Sequence, residues 1–246
     1  MQKPSPSSEI AFVASLLGSI GANRRPNDDK IITAMRTIAR QEFMSALLHS
    51  IKSDSALSAA VCERSYFHPL AFSKLVLMRD NETGSQVRLH VWSSALGTSE
   101  DEPHTHTRDF WSILLSGGLN IFDYEEVETG DAFLKYKTTG GEAFGGYAYE
   151  HIGSACVARV HSTELRFGGP DVHHLDYDQI HLVRPFAPAR TVTLFLQGPE
   201  RSKHSVVYSK IRDKPARKMF KPLEPHELGV AFRDAIEVAF GPGSQK

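Results

Sequence analysis

Between about residues 64 and 210 the chain is written as short apolar or alternating runs separated by turn signals, and that rhythm leaves few architectures open. Runs at 72–78, 87–92, 110–115, 119–124, 132–137, 157–167 and 191–196 are rich in Val, Leu, Ile, Phe and Trp. Asp80 to Gly84, Gly117–Gly118 and Gly140–Gly141 punctuate them. Strands this short and this closely spaced predict an all-β sandwich or barrel, because no helix-length segment intervenes to form a βαβ unit. Outside this block the period changes to that of a helix. Residues 8–20 predict one helix, with Ile10, Val13, Leu16 and Leu17 on one face. Residues 28–51 predict a second, where Ile31, Met35, Ile38, Phe43, Leu47 and Ile51 recur at helical steps. Residues 224–240 predict a third, through Leu228, Phe232, Ile236 and Phe240. The expected plan is an N-terminal helical extension (1–63), a β-barrel (64–210) and a C-terminal helical segment (211–246).

Charge and cysteine content narrow the function classes. A formal net charge of −1 gives no electrostatic case for nucleic acid or an anionic membrane. Two cysteines, Cys62 and Cys156, are too few for a disulfide scaffold and suit a reducing compartment. The first residues lack the basic start and apolar run of a signal peptide. No stretch approaches the ~18 consecutive apolar residues of a transmembrane helix. A cytoplasmic protein is expected.

The densest chemical signal is Pro103-His104-Thr105-His106, at the end of a polar loop (94–102) and ahead of the apolar run 110–115. In extended chain, residues i and i+2 project from one face, so His104 and His106 can aim at one point. Imidazoles at that spacing can share a divalent ion at about 2.0–2.2 Å. His181, which opens an apolar run after an acidic loop, is the expected third ligand, and His173 and His174 are its competitors. Asp109 is the nearest carboxylate, but a strand reverses its face at every residue, which takes Asp109 out of the set.

These residues resemble a known family. His104 and His106, followed by a strand that closes at Gly117, are similar to the first motif of the cupin superfamily. The segment 177–183, with His181, resembles the second. The resemblance implies an all-β core: a cupin-type double-stranded β-helix, or jelly-roll, barrel with flanking N- and C-terminal helices. The optional glutamate of that first motif would fall near Phe110 or Trp111. Its loss with retention of the histidines resembles the cysteine dioxygenase-like (thiol dioxygenase) branch, as do the segments 80–92 and 193–199. That implies a three-histidine site for a divalent metal, Fe(II), and a dioxygenase-type oxidoreductase using O2 on a small organic substrate. The alternatives are a Zn-, Mn- or Ni-dependent cupin lyase, isomerase or hydrolase, and a non-catalytic ligand-binding cupin. Against the branch's pattern, its cysteine–tyrosine crosslink positions carry Trp111 and Gln197, and its closing-strand histidine is Phe195. Lys74 or Arg88 is expected at the barrel mouth to hold an anionic substrate, with Trp111, Phe195 and Gln197 along the wall.

Overall fold

The computed structural model describes residues 7–21, 28–68, 72–92, 102–141, 146–168, 172–186 and 190–241. Four helices come first: α1 (Ser8–Gly21), α2 (Asp28–Ile38), α3 (Gln41–Ser53) and α4 (Ser55–Arg64). Then come β1 (Tyr66–His68), β2 (Phe72–Arg79), β3 (Gln86–Trp92), β4 (Arg108–Ser116), β5 (Gly118–Val127), β6 (Asp131–Gly141) and β7 (Gly146–Arg166). They are followed by β8 (His173–Leu175), β9 (Ile180–Pro185), β10 (Thr191–Glu200), β11 (Ser205–Ser209), β12 (Arg217–Met219) and β13 (Lys221–Pro222). Helix α5 (Pro225–Phe240) ends the described chain. Most of the loop at 94–102 lies outside the described residues.

The strands form two antiparallel sheets. The larger runs β13-β1-β2-β3-β10-β4-β8 and the smaller β11-β6-β7-β5-β9, with β12 paired to β7. The chain changes sheet at the Gly117 turn between β4 and β5 and repeatedly after β7, since β8 and β10 lie in the larger sheet and β9 and β11 in the smaller; the two sheets form the all-β core that the sequence predicts. At Gly117, φ is +73°, a conformation costly for any residue with a Cβ.

The two faces of the larger sheet are chemically distinct. Leu75, Leu77, Val87, Leu89, Val91, Leu115, Val192, Leu194 and Leu196 share one buried cluster with α1, α2, α3, α4 and α5. Because side chains alternate across a strand, Lys74, Gln86, Arg88, His90, Thr193, Phe195 and Gln197 point the other way, into the barrel. The main apolar core therefore lies between sheet and helices, and the barrel interior is left as a chamber. Among the described residues no helix is long and apolar enough to cross a membrane.

Two helical details depart from the sequence reading. The run 28–51 is two helices, since Arg40 is extended (φ −66°, ψ 137°) and caps α3. The apolar period continues through the break because both halves feed the same buried cluster, α2 against β4 and α3 among the helices. Helix α4 is additional to the expected three; Asp54 caps it by accepting hydrogen bonds from the backbone N–H groups of Ala56 and Leu57.

Candidate metal centre

Backbone hydrogen bonds fix where the three histidines point. The His104 N–H donates to the His181 carbonyl at 2.9 Å, and the His181 N–H donates back at 3.0 Å. Residues exchanging both bonds in an antiparallel pair present their side chains side by side. His106, two residues on, shares the face of His104, and its N–H donates to the Tyr177 carbonyl at 2.7 Å. Asp109 accepts from the Tyr177 N–H at 3.0 Å, so this carboxylate braces the loop instead of joining the cluster.

The three rings form a near-equilateral triangle, with centroids 4.9, 4.8 and 4.8 Å apart. One nitrogen from each lies within 4.8 Å of the others. The Nδ1 of His104 is 2.9 Å from the Glu102 carbonyl, and the Nδ1 of His181 is 3.1 Å from that of Gln179. A carbonyl only accepts, so both Nδ1 atoms carry the proton and both Nε2 atoms keep a lone pair. This is the outer-shell arrangement that orients metal-binding imidazoles. The Nε2 atoms of His106 and His181 are 3.1 Å apart, close to the roughly 3 Å edge expected between neighbouring donors about 2.1 Å from one octahedral ion. Burial pushes the His181 imidazole down to about 3, with His104 adding to the effect, and burial also lowers His104 and, more strongly, His106. All three are neutral donors near pH 7. The donor set fits a divalent metal, and His104, His106 and His181 are the residues that could hold it.

The cluster opens onto a chamber of about 880 Å³. Its described lining includes six cationic side chains, Lys74, Arg79, Arg88, Arg108, Lys203 and Arg217, against Glu102 and Glu200. Both acids already have cationic neighbours: Glu102 contacts Lys214 at 2.6 Å, and Glu200 contacts Lys203 at 2.9 Å. The interior field therefore favours an anion. Arg88 donates to the Gln197 side-chain oxygen at 2.7 Å and lies over the rings of Phe110 and Phe195. Lys74 donates to the Tyr66 hydroxyl at 3.1 Å.

Four of the five wall residues expected from sequence, Lys74, Arg88, Phe195 and Gln197, line the chamber. The fifth does not. Trp111 is on the opposite face of β4 from Phe110, 2% exposed, stacked on His174 at 4.8 Å and donating to Asp28 at 3.2 Å. Strand alternation makes it core against the helices. Lys74 and Arg88 also differ from expectation in depth, being buried inside the barrel (6% and 5% exposed) and not placed at a solvated mouth. His174 is held on Trp111, away from the cluster, whereas His173 lines the chamber. The sequence reading missed His90 as a chamber residue, although its alternation with Arg88 and Trp92 along β3 was the available signal.

No family model and no curated protein sequence matches the chain. Among solved structures it is similar to CapF bound to 3-isopropenyl-tropolone, at 12% identity and a TM-score of 0.31, over 64% of this chain and 33% of that one. It is also similar to hydroquinone 1,2-dioxygenase PnpCD bound to Cd2+ and 4-hydroxybenzonitrile, at 12% and 0.30, over 53% and 65%. A third is the L-ribose isomerase of Cellulomonas parahominis, at 14% and 0.30, over 70% and 72%. The chain spans a third of the first structure and under two thirds of the second. At these values none of the three bears on what this chain does.

Proposed function

We propose that the protein is a non-haem Fe(II) oxygenase of the three-histidine cupin type, which oxidises a small anionic organic substrate with O2 in the cytoplasm. The observation that carries this reading is the convergence of His104, His106 and His181, with no carboxylate among them, on the wall of a cationic chamber. Three neutral ligands leave a ferrous ion its full charge and open positions, so that bound iron supplies the redox chemistry O2 activation needs.

The chain's own residues do the rest. The Glu102 and Gln179 carbonyls hold two imidazoles in the tautomer that binds metal. Arg88, oriented by Gln197, offers a fixed guanidinium to an anionic group. Phe110 packs on His106 at 4.3 Å and on Phe195 at 5.0 Å, giving the wall beside the cluster an apolar surface that excludes water. The ligand set is that of a cysteine dioxygenase-like enzyme. The chamber, within the 300–1,000 Å³ range typical of drug-sized ligands, argues for a substrate larger than a thiol amino acid.

The test is O2 uptake by the anaerobically Fe(II)-loaded protein against panels of organic acids, diketones, catechols and thiols. Substrate-dependent uptake that disappears on Zn substitution supports the reading. Turnover without O2, or equal turnover with Zn, Mn or Ni, moves the protein to the lyase, isomerase or hydrolase class. Ligand binding with no turnover under any metal leaves a binding cupin.

A further inference from the structure

Three side chains stand in one row across neighbouring strands of the larger sheet. Lys74 on β2 is the register partner of His90 on β3, and His90 is the register partner of Thr193 on β10. All three are buried and line the chamber. His90 Nε2 and Thr193 Oγ1 are buried with no hydrogen-bond partner among the described residues. Native interiors rarely leave such atoms unsatisfied, and where they do, an explanation is required. Here the two residues are register partners that line a cavity, with the Lys74 ammonium close enough to act on the His90 ring, which is the composition of an anion site. The His90 ring is fixed between Phe72 at 4.5 Å and Phe195 at 4.6 Å. Burial, with Arg88 and Lys74 nearby, holds its pKa well below the usual histidine value. It is therefore a neutral ring, which can offer an N–H without adding charge.

The row's position sets a length. The row that meets the histidine cluster contains Gln197 and its partner Phe110, which packs on His106. Thr193 is four residues from Gln197 along β10, or about 13 Å at strand rise. Side chains from both ends project into the space between, so a ligand touching both spans on the order of 10 Å.

We infer that Lys74, His90 and Thr193 form a carboxylate anchor about 13 Å along β10 from the row that meets the three histidines. The substrate is then an elongated acid, with its metal-binding head on the order of 10 Å from its carboxylate. The head group's placement rests on the metal-centre reading above; the anchor itself does not. Arg88, between the two ends, meets the middle of the molecule or a second anionic group.

The experiment separates these parts. Titrating metal-free protein calorimetrically with 3-phenylpropanoate should show binding. Lys74→Met, His90→Phe and Thr193→Val should each weaken it about tenfold. Lys52→Met, which removes an exposed charge on α3 outside the chamber, should change it less than twofold. Thr193→Val keeps the shape of a buried side chain, so it reads the anchor even if a bulkier change disturbs folding. No binding to wild type, no loss in the row variants, or an equal loss in Lys52→Met overturns the anchor. Zn-loaded protein should then bind 3-(3,4-dihydroxyphenyl)propanoate at least tenfold more tightly than 3,4-dihydroxybenzoate, whose catechol lies nearer its carboxylate. Metal removal should close that gap. Equal affinities with zinc present overturn the length claim. Failure to bind zinc overturns the metal centre and leaves the 3-phenylpropanoate result to decide the anchor.

Discussion

Replacing Trp111 with alanine tests whether the larger sheet turns its apolar face to the helices or to the barrel. Trp111 is 2% exposed, its ring stacks on His174, and its indole N–H donates to Asp28 across the sheet–helix interface. Truncating a buried tryptophan costs about 3–5 kcal/mol, most of it lost packing. The hydrogen bond adds little, because Asp28 is exposed and water can replace the indole. For a chain of this size the melting temperature should fall by roughly 6–20 °C. Trp111→Phe, which keeps one ring on His174, should lose less than half as much. The assay is urea denaturation followed by far-UV circular dichroism, with zinc stoichiometry and chamber ligand affinity measured on the folded variants. Stability should drop while the bound metal stays at the wild-type level. A variant of wild-type stability that loses ligand affinity would place Trp111 in the chamber and refute the assignment of faces.

Further outcomes follow from the same geometry. Gly117→Ala should destabilise the protein by about 2 kcal/mol or more, since it forces a Cβ onto a residue with φ +73° and against the Arg190 carbonyl oxygen; an unchanged denaturation midpoint would contradict this. His90 is held neutral in the fold, so its folded pKa lies below the 6.5 of the unfolded chain. Its contribution is complete above pH 6.5 and is lost as pH falls below it, at up to about 1.4 kcal/mol per pH unit. His90→Phe should therefore flatten the decline in stability between pH 6.5 and 4, read as denaturation midpoints across that range. Gln197→Leu should weaken anionic ligands several-fold by freeing the Arg88 guanidinium, leaving neutral ligands unaffected; equal loss for both would argue for simple cavity filling.

The strands were legible because their apolar runs and glycine turns are local signals, and Gly117 makes the turn between β4 and β5 where the sequence places one. His104, His106 and His181 could be singled out because strand alternation and turn position are also local. What the sequence does not carry is which face of a strand looks inward. Along β3, Gln86, Arg88, His90 and Trp92 alternate with Val87, Leu89 and Val91, so two faces are evident. A barrel read alone would turn the apolar one inside. Five helices covering the outside reverse that choice, so Trp111 is core against the helices and Lys74 and Arg88 are buried within the barrel. Whether helices return to cover a sheet is a tertiary fact, set by contacts such as Trp111 with Asp28, 83 positions apart.

The metal content of the purified chain tests the central claim most directly. Protein loaded with Fe(II) under anaerobic conditions and desalted should carry one ion per chain by elemental analysis. His106→Ala and His181→Ala should each carry almost none, with far-UV circular dichroism unchanged. Wild-type protein that retains no metal, or variants that retain it in full, would contradict the account.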